Sequence, residues 1–269
     1  MKLIFFFMFI LVSSSLLCAS EKSDSVVRRR NIPPKKIVFV DGHGTLWEPW
    51  HHHFIQAFTT TWLQASITGK KDLLLVLANP RLWLNLKAAR REVFDLFIHD
   101  LCKDVPLLEQ HRKKIISNYN LHVLAPAMVI ILRKLKSTGC TLLLGSNIGS
   151  ESLAYLLNHQ PEINELMEGY CIVDCLDSSV ELLRHKIGEK PLYLSSDVKP
   201  NNPYFEQAFT LAAQFTKNES SQVAFVDDRL DIITASKKAG FIGIHATSAD
   251  QTLMQLQAAG FLNDTKKSQ

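Results

Sequence analysis

Four places along this sequence bring together side chains with chemical potential. Asp41 follows the apolar run 37–40, and Ser146 and Asn147 follow 142–144. Lys199 precedes the stretch Pro200-Asn201-Asn202, and Asp227 and Asp228 follow 223–226. Carboxylates can serve as covalent nucleophiles and as oxygen ligands of hard cations. Hydroxyl, amide and ammonium groups donate to anions. A single aspartate after a strand is ordinarily a cap or turn residue. Four such sets in succession, each at the end of an apolar run or just before a helix, describe instead the ligand-binding edge of a sheet.

The elements that must position them follow from the pattern. Residues 37–40 are apolar and β-rich without interruption, as in a strand buried on both faces, and Gly42 and Gly44 break the run into a loop. From 123 onward strands and helices alternate. A helix is expected over 126–135, closed at Gly139, then a strand at 140–144, a helix at 150–158 and a strand at 170–174. A helix at 203–215, a strand at 223–226, a helix at 231–239, a strand at 241–245 and a last helix at 251–259 complete the series. Such alternation predicts an α/β fold, a Rossmann-like parallel sheet with helices on both faces. Ligands on these sheets bind at the carboxyl ends of the strands. Residues 48–120 differ in character: Trp50, Phe54, Ala57, Phe58 and Trp62, then Val93, Phe94, Phe97 and Leu101, recur at helical spacing, with Asn79-Pro80 as a break. They read as an inserted all-helical domain of about 70 residues.

Composition is that of an ordinary globular protein, with 46% hydrophobic and 21% charged residues over 269 positions. The net charge of +4 comes without a long basic stripe and calls for no nucleic-acid partner. Residues 1–20 read as a signal peptide: Lys2, an apolar run, then small residues around Ala19 and Ser20. Export to a secreted or periplasmic location follows, with a membrane anchor if the segment stays uncleaved. A basic linker at 21–35 contains Arg28, Arg29 and Arg30, a charge that prefers the cytoplasmic side. Core segments are then 36–47 and 121–265. Cys102, Cys140, Cys171 and Cys175 read as buried free thiols, with a Cys171–Cys175 disulfide allowed in an oxidising compartment. Asn218 and Asn263 sit in glycosylation-acceptor patterns.

The sequence resembles the haloacid dehalogenase (HAD) superfamily over about residues 36–262. Val38-Phe39-Val40-Asp41-Gly42-His43-Gly44-Thr45-Leu46 matches its first motif, D-x-D-G-T-L after an apolar strand, except at His43. Leu142-Leu143-Leu144-Gly145-Ser146-Asn147 resembles the second, Lys199-Pro200 the third, and Ala224-Phe225-Val226-Asp227-Asp228 the acidic fourth. The helical insert stands where this family carries a C1-type cap. The resemblance implies a Mg²⁺-dependent phosphohydrolase acting on a small phosphomonoester. Asp41 would be the nucleophile, forming an aspartyl-phosphate. Asp41, Asp227 and Asp228, with the backbone carbonyl of His43, would ligate the metal, and Asp231 would support them from behind. Ser146, the backbone of Asn147, and Lys199 would bind the phosphoryl oxygens.

His43 departs from the pattern, since the family's phosphatases place an aspartate there to protonate the leaving group and activate water. Histidine can do the same work. A phosphatase using His43, a dehalogenase-like HAD reaction and a non-catalytic phosphate- or metal-binding protein all stay open at this point. His51, His52 and His53 are consecutive and cannot converge on one ion from a helix. Trp47 and Trp50 read either as pocket lining or as core. The stretch 170–198 is longer than the resemblance requires, and leaves 170–174 or 192–195 as the strand before Lys199.

Overall fold

The computed structural model describes residues 34–47, 63, 93–104, 106–120, 124–175, 179–216 and 221–263. The signal-peptide and linker expectations, most of the helical insert, His51, His52, His53 and Asn218 lie outside the described residues.

Six strands form one parallel sheet: β1 (Lys35–Val40), β2 (Thr141–Gly145), β3 (Gly169–Val173), β4 (Leu192–Ser195), β5 (Ser221–Asp227) and β6 (Ile242–His245), in the order β4-β3-β2-β1-β5-β6. The alternation of side chains along each central strand sorts the core into two layers. Val38 and Val40 of β1, Leu142 and Leu144 of β2, and Ala224 and Val226 of β5 belong to one. Ile37 and Phe39, Leu143, and Val223 and Phe225 belong to the other. Buried on both faces, these strands show the continuous apolar runs seen in the sequence.

Direction of travel decides which helices cover which face. From β1 the chain steps outward through β2 and β3 to β4, then returns to the far side of β1 as β5 and continues to β6. Crossovers between parallel strands keep one hand, so reversing the direction moves the connecting helices to the opposite face. Helices α3 (Pro126–Ser137), α4 (Ser150–His159), α5 (Pro161–Leu166) and α6 (Ser179–Ile187) accordingly contribute Leu132, Leu153, Ile163 and Leu183 to the first layer. Helices α7 (Asn202–Thr216) and α8 (Leu230–Lys238) contribute Phe205 and Ile232 to the second. The last helix, α9 (Ala249–Ala258), returns Leu256 to the first layer.

The long stretch before Lys199 resolves as strand, helix, strand. Both 170–174 and 192–195 were candidates for the strand preceding that lysine; both are strands, adjacent and parallel, with Cys171 opposite Tyr193. The extra unit adds an edge strand rather than a loop.

Of residues 48–120, expected as a helical insert, α1 (Phe94–Asp104), a 3₁₀ turn (Pro106–His111) and α2 (Arg112–Tyr119) are described. They are tied to the start of α4. Asp95 accepts hydrogen bonds from the Ser152 backbone N–H (2.9 Å) and from the Ser152 hydroxyl. Asn120 Nδ2 donates to Ser152 Oγ at 2.9 Å, and Arg112 pairs with Glu151. Gly149, the residue before α4, supplies no capping side chain. Asp95 thus caps this helix from another segment, occupying an orphan N–H of its first turn. A β-carbon on Gly149 would lie 2.2 Å from Asp95 Oδ2, so the approach requires glycine. Val93, read as part of the insert, is itself fully buried in the second core layer.

All four described cysteines are buried free thiols. No helix among the described residues is long and apolar enough to cross a membrane.

Candidate active site

The crevice at which strand order reverses lies between β1 and β5, the place where open α/β sheets bind ligands. Asp41 leaves β1 there and Asp227 ends β5, and the Asp41 N–H donates to the Val226 carbonyl at 2.9 Å. The register of β1 with β5 sets Val40 opposite Val226, which brings the two aspartates to the same level. Carboxylate oxygens of Asp41, Asp227 and Asp228 all come within 4.8 Å of one another.

Lys199 closes this group. Its Nζ donates to Asp41 Oδ1 at 2.6 Å, to Asp227 Oδ2 at 2.7 Å and to the Gly145 carbonyl at 3.0 Å, which uses all three ammonium donors. The side chain is 1% exposed. Phe225 lies beneath the ammonium, 5.2 Å from Nζ to the ring centroid. Burial opposes a charge on Lys199, but the Asp227 and Asp41 carboxylates outweigh it and hold its pKa above the usual lysine value. The lysine is therefore cationic.

Burial has the opposite consequence for the acids. It raises Asp41 above the usual carboxylate range against the pull of Lys199. It lifts Asp227 to about 6, with the neighbouring charge of Asp41 adding to the effect. Asp228 also rises to about 6, through burial and then the charge of Asp227. Three carboxylates face one ammonium at this point, and Arg229 is turned elsewhere. Crowded oxygens with unbalanced negative charge suit a hard divalent cation, which would lower all three pKa values.

The loop 41–47 is shaped by two close approaches. Gly44 has φ +82, and a β-carbon there would lie 2.2 Å from Asp228 Oδ2, so no other residue fits without moving that carboxylate. Trp47 is fully buried, with its edge where a β-carbon of Gly42 would stand. Its indole N–H donates to Gln160 Oε1 at 2.9 Å, and its N–H and that of Leu46 both donate to the Gly42 carbonyl at 2.9 Å. Trp47 therefore belongs to the packing beneath the loop. The His43 ring stands beside it, 5.6 Å between centroids. The three side chains whose ligand atoms lie within 4.8 Å of one another are Asp41, Asp227 and Asp228, without the His43 ring.

Ser146 and Asn147 leave β2 on the other side of β1. The Ser146 hydroxyl works against the rise of Asp41, pulling its pKa down. Asn147 does something that residue type alone does not announce: its carboxamide grips the backbone of Lys199. The Lys199 N–H donates to Asn147 Oδ1 at 2.8 Å, and Asn147 Nδ2 donates to the Lys199 carbonyl at 3.1 Å. Asp41, Ser146, Asn147, Lys199, Asp227 and Asp228 thus meet at one edge of the sheet. Asp231, expected behind the acidic pair, instead forms a two-point pair with Arg229, at 2.5 and 3.2 Å, on the exposed start of α8. Position in the first turn of a helix, with a guanidinium two residues before it, offers that carboxylate a solvated partner.

His245 and Gln255 escaped the sequence reading. His245 Nε2 is 2.9 Å from the Asp228 carbonyl, and Gln255 bonds both backbone groups of His245. Only the alignment of β6 beside β5 reveals them.

No protein-family model matches the chain, and no curated protein does. Solved structures with a similar course of the chain include the HAD-hydrolase YfnB of Bacillus subtilis bound to magnesium. It is 11% identical, with 79% of this chain and 87% of that chain covered and a TM-score of 0.46. CbbY of Rhodobacter sphaeroides in complex with phosphate is 14% identical, covering 79% and 86%, with a TM-score of 0.47. L-2-haloacid dehalogenase of Xanthobacter autotrophicus, with chloropropionic acid covalently bound, is 15% identical, covering 85% and 84%, at 0.43.

Proposed function

We propose that this chain is a HAD-type hydrolase, a Mg²⁺-dependent phosphatase of small phosphomonoesters that works through an aspartyl-phosphate on Asp41. The observation that carries the reading is the ammonium of Lys199 bridging Asp41 and Asp227, with Asp228 completing a trio of oxygen donors. Asp41, Asp227 and Asp228, with the His43 carbonyl, would hold Mg²⁺, which supplies charge neutralisation to the phosphoryl group and the acids. Lys199 keeps Asp41 oriented and shields the negative charge of an incoming phosphate.

An Asp41 oxygen attacks phosphorus, the bond from phosphorus to the ester oxygen breaks, and the departing alkoxide takes a proton from His43. His43 then accepts a proton from water as that water attacks the aspartyl-phosphate, which releases inorganic phosphate and restores Asp41. Ser146 and the Asn147 N–H donate to the phosphoryl oxygens. Residues 48–120 act as the cap that selects the substrate, and residues 1–20 direct the chain out of the cytoplasm.

The second reading, a HAD protein with a dehalogenase-like reaction or with binding alone, rests on histidine at position 43. The carboxylate trio favours the first, because a dehalogenase needs no metal. Phosphate release from a panel of aryl and alkyl phosphomonoesters, with and without Mg²⁺, tests it. Turnover that needs Mg²⁺ and vanishes in Asp41→Asn is expected; turnover no greater than that variant's across the panel overturns it.

A further inference from the structure

We propose that His245 is a positioning residue for the acidic pair, acting through the backbone carbonyl of Asp228; this rests on the metal-site reading above. β6 runs beside β5 with His245 opposite Asp227, so its last residue arrives level with the acids. His245 Nε2 lies 2.9 Å from the Asp228 carbonyl. A carbonyl only accepts, so the imidazole proton sits on Nε2. One residue on, the Ala246 N–H donates to the Asp227 carbonyl at 2.9 Å. Consecutive residues at the end of β6 therefore pin consecutive carbonyls of the acidic pair.

The pin is itself anchored. Gln255 of α9 accepts from the His245 N–H at 3.0 Å and donates to the His245 carbonyl at 2.8 Å, a two-point grip from a neighbouring element. On its carboxylate side Asp228 faces Gly44, where a β-carbon would lie 2.2 Å from Oδ2. With its carbonyl held by His245, Asp228 sends its carboxylate out in a fixed direction, into the space that the missing β-carbon of Gly44 leaves open. Loss of the imidazole donor frees the carbonyl, and the carboxylate loses its fixed aim toward Asp41 and Asp227. Donors that orient ligand residues in this way typically govern metal affinity by about 10–100-fold.

Calorimetric titration of Mg²⁺ into the full chain tests this without reference to turnover. His245→Phe keeps a ring and removes the donor; its dissociation constant for Mg²⁺ is expected to rise about tenfold. His245→Gln carries an amide N–H at the same number of bonds from Cα and is expected to bind within about threefold of the wild type. His245→Asn is one carbon too short and should behave like the Phe variant, which decides the matter if the Phe variant does not fold. Unchanged affinity in both His245→Phe and His245→Asn overturns the inference while leaving the metal site standing. Equal weakening in the Gln variant overturns it too, since the ring rather than its donor would then matter. A wild-type chain that takes up no Mg²⁺ overturns the metal-site reading and this inference together.

Discussion

Among the described residues, buried carboxylates lie at two places, and they are held by opposite means. At the end of β1 and β5, Asp41 and Asp227 are bridged by a cation, and Lys199 has all three donors engaged. At the start of α4, Asp95 is as deeply buried as Asp41 but is met chiefly by neutral donors from Ser152, while Arg112 is occupied by Glu151. Burial lifts the Asp95 carboxyl to about 6, and Ser152 offsets only part of that rise. Both places hold carboxyls raised by burial; what differs is the partner, a buried ammonium shared by Asp41 and Asp227 in one and the serine that fastens Asp95 to α4 in the other.

Breaking the first cluster should have the largest effects. Asp41→Asn is expected to lower phosphate release by about four orders of magnitude, as loss of a nucleophile does. Asp95→Asn in the same assay should stay within about threefold, because the amide still accepts from Ser152. Comparable losses in the two variants would erase the distinction. Lys199→Met strands two carboxylates in a dry site, and stability measured by urea unfolding should fall by about 3–5 kcal/mol.

pH separates the clusters further. Between pH 4 and 6 the folded chain retains a proton on Asp95 that the unfolded chain has already lost. Stability therefore falls as pH rises through that window, by roughly 3 kcal/mol for this group, and levels off above it. Asp227 and Asp228 slope the same way in the absence of metal, so the difference between wild type and Asp95→Asn isolates the share of Asp95. Saturating Mg²⁺ should reverse only the active-site share. A metal requires its carboxylates ionised, and its dissociation constant should rise about tenfold or more per pH unit below 6. The mildest test is Gly149→Ala. Its β-carbon displaces the Asp95 carboxylate at a cost of about 1–3 kcal/mol, seen in thermal melting.

How much of this the sequence discloses depends on the range of the contact. β1, β2 and β5 announce themselves because burial on both faces forces unbroken apolar runs, and Asp41, Ser146, Lys199 and Asp227 follow directly from where those runs stop or a helix starts. β4 is harder to read: Leu192, Tyr193 and Leu194 are only half-buried at the sheet edge, so the residue pattern there is weak. α5 has six residues, too few for a helical period to register. Asp95, Asn147, His245 and Gln255 act through partners dictated by tertiary packing rather than local spacing. Asp95 sits in a run of aromatic residues at helical spacing, and nothing in that run says that its carboxyl reaches another segment. Asp231 shows the converse failure: its position beside the acidic pair suggested shared work, and an adjacent arginine took it instead.

The grip of Asn147 on Lys199 has a consequence for how such a chain can change over time. The lysine is located by a residue 52 positions earlier, in the loop that follows β2, and not only by the length of backbone that leads up to it. The intervening connection is thereby relieved of any duty to measure distance. It accommodates a strand and a helix between β3 and the lysine, and lengthening at the exposed turn at Gly188 and Glu189 should leave the lysine where it stands. Insertions at that turn would sample this tolerance directly, and the tether marks the point at which it ends.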